Sequence, residues 1–268
     1  MGWPVNHSRS PIIHNHWITE HGLRGSYVLL PVEPEKLEQA LRALPVLGFA
    51  GCNLTIPHKV AALSIVDRID PLAQRIGAIN CVVVESDGSL SGRNTDACGY
   101  VQSLRDAQPH WQASVGPALV LGAGGAARAV IAGLLENGVT TIRLTNRSPE
   151  KTHELVAAFG PQLMAVDWKD RNAAVDGAAL VVNTTNLGMQ GQPALYLDLT
   201  TLSPDALVSD VIYVPLQTPL LAAANLRGNI TVGGLGMLLN QARPAFEAWF
   251  GVMPTISDVL LNKVLASF

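Results

Sequence analysis

The sequence predicts an α/β protein made of two α/β domains, and three observations support this prediction. The chain has 268 residues, which is enough for one large domain or two modest ones. Short runs rich in Val, Ile and Leu alternate with helical patterns, as in α/β proteins with parallel sheets. A glycine-rich turn at residues 120–128 lies between a predicted strand and a predicted helix, which is the context of a Rossmann-like domain.

The composition indicates a well-buried globular protein. The chain is 48% hydrophobic and 15% charged, which argues against disorder. A net charge of −3 predicts no general affinity for nucleic acid or anionic membranes. The start "MGWPVNHSRS" lacks the apolar core of a signal peptide, and three cysteines without a CxxC pair favour reduced thiols over a disulfide or metal site. We expect a cytoplasmic monomer or homodimer without a metal.

The elements of the first domain are predicted in chain order. The spacing of Leu37, Leu41 and Leu44 is that of an amphipathic helix. Pro57 ends the strand that is predicted at residues 48–56. The "SDGS" segment at residues 86–89 is a turn. Strands are predicted at residues 26–32, 48–56 and 79–86, and helices at residues 33–48 and 59–69.

The second domain shows a more regular alternation. Gly138 and Gly160 lie at the ends of two helices, and Pro149 lies near the start of the second. Two further helices close the chain and are expected to pack back on the first domain, which gives domains of residues 1–97 plus 239–268 and residues 98–238. Strands are predicted at residues 118–122, 141–146, 179–185 and 207–213, and helices at residues 126–138, 148–160, 241–251 and 255–268.

The turn "VLGAGGAAR" predicts dinucleotide binding. Gly122, Gly124 and Ala127 fit the G-x-G-x-x-G/A pattern, in which the first glycine permits the tight turn and the second lets the backbone approach a pyrophosphate. The following helix N-terminus offers free N–H groups to the phosphates. A plain glycine-rich turn is the alternative.

The next strand end favours NADP over NAD. NAD-binding sites usually carry an acid there, whereas this chain has "TNRSPEK" at residues 145–151. Asn146 and Ser148 can donate hydrogen bonds, Arg147 can hold a 2′-phosphate with its planar fork, and Lys151 lies one turn further on. The alternative is that Arg147 is only a solvated surface charge.

Nine stretches of the sequence carry a resemblance to a known family. The hydroxyls of Ser8 and Ser10 would face the same way in an extended strand and could bind a carboxylate, although they also suit an ordinary helix cap. The chain resembles the shikimate dehydrogenase family from residue 2 to about residue 242. The stretches occur in the family's order: "GWPVNHSRSPIIHN", "GCNLTIPHK", "GAIN", "GRNTDACG", "GAGGAAR", "NRS", "NTTNLGM", "DVIYVPLQTPLL" and "GGLGMLLNQA".

The resemblance implies reversible NADP-linked reduction of 3-dehydroshikimate to shikimate in aromatic amino-acid biosynthesis, in a cleft between two domains that can close. It implies that Ser8 and Ser10 bind the substrate carboxylate and that Tyr213 approaches the substrate from the cofactor domain. The implied ring-hydroxyl ligands are Thr55, Lys59, Asn80, Asp96 and Gln241. The implied cofactor ligands are Gly122, Ala123, Gly124, Gly125 and Ala126 at the pyrophosphate, Asn146, Arg147, Ser148 and Lys151 at the 2′-phosphate, and Val211 and Gly234, of which Gly234 lies near the nicotinamide.

Two positions depart from the family pattern. Family members usually have a full strand before the Gly-x-Pro of the first motif, whereas here Met1 directly precedes Gly2, so most of that strand is expected to be absent. Cys81 replaces a common Thr, and Asn80 is retained. The first departure raises the question of how firmly Ser8 and Ser10 are held.

Lys59 and Asp96 are the predicted catalytic residues. Hydride transfer to a carbonyl carbon needs an acid for the oxygen, and Lys59 would donate that proton while Asp96 orients the ammonium group. A mere salt bridge is the alternative. Three other functions compete: a broader quinate/shikimate dehydrogenase with NAD use, a non-catalytic NADP-binding regulator, and a Rossmann enzyme of another pathway.

Overall fold

The structure is a computed structural model that describes residues 1–268. The chain divides into two compact units, of which the first comprises Met1–Asp96 and Leu239–Phe268 and the second comprises Ala97–Leu238. The elements of both units confirm the predicted α/β class with a discontinuous first unit. No helix combines the length and the apolar character that are needed to cross a membrane.

The first unit contains a four-stranded mixed sheet. Its strands are β1 (Gly51–Asn53), β2 (Arg68–Ile69), β3 (Cys81–Val84) and β4 (Leu90–Arg93), in the order β1-β3-β4-β2. Strand β3 is antiparallel to both β1 and β4, and only β2 and β4 are parallel. The predicted parallel sheet is therefore wrong for this unit. The reason is the short turn at Asp87-Gly88, since a tight turn can join only antiparallel strands.

Helices cover this sheet and bury its apolar residues. Leu37, Leu41 and Leu44 are almost fully buried and pack with Cys52 and Val82 of the sheet, which confirms the predicted amphipathic helix. The helices of this unit are α1 (Ser10–Glu20), α2 (Leu37–Ala43), α3 (His58–Ala61), α4 (Pro71–Ile76) and, near the end of the chain, α10 (Asp258–Leu265).

Two predicted elements of this unit are wrong. Residues 26–32 form no strand, and only a single bridge joins Pro31 to Gly2, because a proline lacks the N–H that a ladder requires. The helix predicted at residues 59–69 ends at Ala61 and is followed by a 3₁₀ turn and β2. The Asp67 carboxylate accepts a 2.8 Å hydrogen bond from the Leu90 amide, which directs the chain into β2.

The first residues are held from both sides. The Thr55 amide donates to the Met1 carbonyl (3.0 Å), the Trp3 amide donates to the Ile56 carbonyl (3.1 Å), and the Val32 amide donates to the Gly2 carbonyl (3.1 Å). A Cβ on Gly2 would lie 2.4 Å from the Thr55 Cγ2 atom, so the close approach requires glycine. This short segment therefore fixes the chain that leads to Ser8.

The second unit contains a six-stranded, fully parallel sheet. Its strands are β5 (Ala118–Leu121), β6 (Ile142–Asn146), β7 (Leu163–Asp167), β8 (Leu180–Asn183), β9 (Leu207–Asp210) and β10 (Thr231–Val232). Their order is β10-β9-β8-β5-β6-β7, so the direction of progression reverses between β5 and β8. In such sheets ligands bind beyond the carboxyl ends of the strands at this switch point.

Helices α6 and α7 follow the prediction closely, whereas α9 begins at Gly234, well before the predicted start at residue 241. Helix α6 begins directly after the glycine-rich turn, and α7 begins at Pro149 and ends before Gly160. Strands β7 and β10 and helices α5 and α8 were not predicted. The helices are α5 (Asp96–Ala107), α6 (Gly125–Glu136), α7 (Pro149–Phe159), α8 (Pro219–Leu226) and α9 (Gly234–Phe250), and α9 continues into the first unit.

Candidate active site

Strand pairing in the first unit gathers polar residues at one end of the sheet. Cys81 at the start of β3 pairs with Asn53 at the end of β1 and with Arg93 at the end of β4. The residues just before β3 and just after β1 and β4 therefore meet. They are Asn80 before β3, residues 54–59 after β1, and residues 94–96 after β4.

Lys59 and Asp96 form an ion pair at this end of the sheet. The Lys59 Nζ atom lies 2.6 Å from Asp96 Oδ2, and the two side chains are 20% and 7% exposed. The Lys59 carbonyl accepts a 2.8 Å bond from the Ile79 amide, which fixes its backbone. Since Asp96 is the one protein acceptor that Nζ contacts, two N–H groups of the ammonium are available to a substrate oxygen.

Asn80 is the centre of the surrounding network. Its Nδ2 atom lies 2.8 Å from Asp96 Oδ1, 3.0 Å from Thr95 Oγ1 and 3.2 Å from Gln241 Oε1, and its Oδ1 atom accepts from the Thr95 amide at 2.7 Å. An NH₂ group has only two hydrogens for three acceptors. A substrate hydroxyl that donates to Gln241 would relieve this competition.

The structure corrects the conformation predicted for Ser8 and Ser10. They do not lie in an extended strand, because Ser10 is the first residue of α1 and Arg9 has helical backbone angles. The Ser10 amide instead approaches Ser8 Oγ at 3.3 Å. Both residues are half-buried, so their hydroxyls remain near the surface at the start of a helix, where N–H groups favour an anion.

Two residues that were not predicted to face the substrate, Tyr27 and Asn53, extend the cluster towards Ser10. The Tyr27 side chain lies near that of Ser10, its hydroxyl donates to Asn53 Oδ1 at 2.8 Å, and Asn53 Nδ2 donates to the Asn80 carbonyl at 3.1 Å. Burial raises the pKa of Tyr27, so the hydroxyl stays protonated and can donate. Tyr27 was missed because its segment had been predicted as an ordinary strand.

The predicted phosphate-binding turn of the second unit has the geometry that its motif requires. Gly122 has φ +113°, and a Cβ on it would lie 2.5 Å from Thr184 Oγ1, whereas a Cβ on Gly124 or Gly125 would meet no protein atom within 4 Å. The backbone conformation and the close packing therefore require glycine at position 122, whereas Gly124 and Gly125 leave open space over the N-terminus of α6. The residues present thus fit a pyrophosphate, whose oxygens need such space and free N–H groups.

The segment after β6 presents polar and basic side chains. Asn146, the last residue of β6, donates from Nδ2 to the Ser148 carbonyl at 3.1 Å. Arg147 and Lys151 are exposed, and Ser148, which precedes α7, makes no capping bond within the protein. These groups are free to contact a phosphate at the ribose.

The remaining predicted residues lie after β9. The Val211 amide donates to the Asn183 carbonyl at 3.0 Å, and the Gly234 amide donates to the Ile212 carbonyl at 3.1 Å. A Cβ on Gly234 would lie 2.1 Å from the Val211 carbonyl oxygen, so only glycine lets α9 begin this close to the end of β9. Tyr213 is half-buried on the same loop. The structure thus brings Val211 and Gly234 together.

Three segments of the chain match family profiles. Residues 1–82 match the shikimate dehydrogenase substrate binding domain, residues 107–188 match the shikimate / quinate 5-dehydrogenase family, and residues 234–259 match the shikimate 5′-dehydrogenase C-terminal domain. A curated relative, the shikimate dehydrogenase (NADP(+)) of Paramagnetospirillum magneticum, is 54% identical over 266 residues, which cover 99% of this chain and 96% of the relative.

Solved structures resemble the whole chain. Shikimate 5-dehydrogenase from Thermus thermophilus, in complex with NADP(H) and shikimate, has a TM-score of 0.88 and 36% identity, covering 100% of this chain and 97% of that chain. Quinate dehydrogenase from Corynebacterium glutamicum, in complex with NAD, has a TM-score of 0.91 and 29% identity, covering 99% of this chain and 96% of that chain.

Proposed function

Because the chain belongs to the shikimate dehydrogenase family, we propose that it catalyses the reversible NADP-dependent reduction of 3-dehydroshikimate to shikimate, in aromatic amino-acid biosynthesis. It is an oxidoreductase that acts on a secondary alcohol. The observation that carries the assignment of roles is the pair of Lys59 and Asp96, 2.6 Å apart and largely shielded from solvent, within a ring of polar side chains.

Lys59 is the proton donor in reduction and the acceptor in oxidation. NADPH, when bound, supplies the hydride to the carbonyl carbon. The Lys59 ammonium donates its proton to the oxygen as negative charge develops there, which general acids achieve from hydrogen-bonding distance. Asp96 holds the ammonium in one position, so that one of its other N–H groups can point at the reacting oxygen.

The other polar residues orient the ring. Asn80, Gln241 and Thr55 are assigned to the substrate hydroxyls, and the first two are already linked through Asn80 Nδ2. A network that is formed before the substrate arrives loses little entropy on binding. Ser8 and Ser10 are assigned to the carboxylate, and Tyr213 is assigned to the substrate from the second unit.

The second unit is assigned to NADP. The open space at Gly124 and Gly125 suits the pyrophosphate, with Gly122, Ala123 and Ala126 completing that turn. The 2′-phosphate is assigned to Asn146, Arg147, Ser148 and Lys151, and the nicotinamide end is assigned to Val211 and Gly234. With the exception of Tyr213, the substrate role is assigned to residues 1–97 plus 239–268, and the NADP role is assigned to residues 98–238.

The nearest rival is a broader quinate/shikimate dehydrogenase that uses NAD. The absence of an acid at the end of β6, where Asn146 stands, disfavours NAD. A non-catalytic NADP-binding regulator would have no need of the Lys59–Asp96 pair. A cytoplasmic location and a monomeric or homodimeric state remain predictions from the sequence.

A kinetic matrix tests the proposal. Purified protein is assayed with shikimate or quinate, each with NADP or NAD, and kcat/KM is measured for the four combinations. Shikimate with NADP is expected to give the highest value. If quinate with NAD exceeded it, the rival enzyme would be the correct function, and saturable NADP binding without turnover of either acid would indicate the regulator.

A further inference from the structure

Asp210 is a buried carboxylate that the proposed reaction does not use. It ends β9 opposite Asn183, which ends β8, and it is 1% exposed. None of the ion pairs in the structure involves it. A buried carboxylate without a cation is costly and needs hydrogen-bond donors, so its surroundings are informative.

Three neutral donors surround this carboxylate. Asn183 Nδ2 donates to Oδ2 at 3.0 Å, Thr218 Oγ1 donates to Oδ2 at 2.8 Å, and the Ile212 amide donates to Oδ1 at 3.0 Å. An ionised carboxylate accepts at both oxygens, whereas a carboxamide of the same shape presents an NH₂ group at one of them. An Asn side chain at position 210 would therefore oppose at least one donor in either orientation.

The donors come from three segments. Asn183 also donates to the Leu187 carbonyl at 3.0 Å and so shapes the loop after β8. Thr218 is the N-cap residue of α8. Ile212 lies in the loop after β9, between Val211 and Tyr213. The carboxylate thus ties both loops and the start of α8 to one point.

We propose that Asp210 is a positioning residue that holds the 211–217 loop in its active conformation. This inference rests on the proposed function, because it acts through Val211 and Tyr213, which are assigned to the cofactor and the substrate. Both ends of the loop are fixed through Asp210, by the Ile212 amide at one end and by Thr218 at the other. Tyr213 lies between these two anchors, and Val211 directly precedes the first of them.

Kinetics and amide hydrogen exchange test the proposal with four variants. Asp210→Asn keeps the shape and removes one acceptor, Thr218→Val removes the hydroxyl donor, and Thr218→Ser restores it. Ser257→Ala is the matched control, since Ser257 caps α10 in the first unit by accepting from the Leu260 amide. It loses a helix cap of the same kind without touching the loop.

Asp210→Asn is expected to lower kcat/KM for shikimate by about 10- to 100-fold and Thr218→Val by about 10-fold. Thr218→Ser and Ser257→Ala are expected to remain within about 2-fold of the parent protein. Peptides that cover residues 211–217 are expected to exchange about 10-fold faster in Asp210→Asn and Thr218→Val only.

Three results would overturn the proposal: unchanged exchange in Asp210→Asn, faster exchange with unchanged kcat/KM, or a Thr218→Ser variant as defective as Thr218→Val. The proposed function fails separately, if the unmodified protein does not oxidise shikimate with NADP. In that event the exchange measurements alone still decide whether Asp210 orders the loop.

Discussion

Two buried carboxylates, one in each unit, serve different purposes. Asp96 begins α5 three residues after the end of β4, Asp210 is the last residue of β9, and both are buried. Asp96 faces the Lys59 ammonium, whereas Asp210 faces an amide, a hydroxyl and a backbone N–H. The difference lies in the partner, not in the depth of burial.

The partners determine what each charge does. A carboxylate beside an ammonium group gains a charge-assisted hydrogen bond, and at Asp96 that bond fixes Lys59, the proposed proton donor. A carboxylate among neutral donors gains less, and burial raises the pKa of Asp210 to about 6. We therefore assign Asp96 to the proposed chemistry and Asp210 to loop geometry, the latter at a cost in stability.

Removing the ammonium group of the Lys59–Asp96 pair is expected to have the largest effect on activity. Lys59→Ala should lower kcat by about 10²- to 10⁴-fold with a smaller effect on KM, because the developing oxyanion loses its proton donor. Steady-state oxidation of shikimate by NADP measures this. Lys36→Ala is the control, since Lys36 is an exposed lysine in an ion pair with Glu33. Near-full turnover in Lys59→Ala would contradict the acid/base role.

Removing only the charge of Asp96 is expected to have a smaller effect. Asp96→Asn still offers an oxygen to Lys59 but loses the charge-assisted bond, which should lower kcat by about 10- to 100-fold. The same assay measures it, with Asp67→Asn as a control on a half-exposed carboxylate that pairs with Arg42. A loss larger than that of Lys59→Ala would make Asp96 the acid/base instead.

The sequence predicted local features well. The turn at Gly122 and Gly124 is encoded within a few residues, because backbone conformation and space select glycine there. The end of α7 at Gly160 is equally local. The amphipathic helix that contains Leu37 and Leu41 was also found, since its period is a property of the segment itself.

Most of the features that were missed depend on distant partners. Helix α4 is an exception: it was missed although it carries a local signal, since Asp70 precedes Pro71 and caps the helix by accepting from the Leu72 and Ala73 amides. The meeting of Asp210 with Thr218 had none, since it depends on how the loop after β9 folds back. Tyr27 likewise joins the first site only through tertiary contacts.

The smallest expected effect concerns Asp210, the buried carboxylate without a cation: it should make the stability of the protein depend on pH. Since the pKa of Asp210 is about 6 in the folded protein and about 3.9 in an unfolded chain, the folded state binds more protons between these values. The contribution of Asp210 to the free energy of unfolding is therefore fully present below about pH 4 and is lost as the pH rises through about 6. Its size is on the order of 3 kcal/mol.

Asp210→Asn removes this dependence. The difference in unfolding free energy between the parent protein and Asp210→Asn should shrink by on the order of 3 kcal/mol from pH 4 to pH 7. Urea denaturation at both pH values measures it. Asp87→Asn should change little over this range, because hydrogen bonds from Ser89 lower the pKa of Asp87 to about 2, and the contribution of this exposed carboxyl to stability changes only at and below about pH 4. A difference for Asp210→Asn that is constant with pH would mean that water or a cation compensates this carboxylate, and the contrast with Asp96 would disappear.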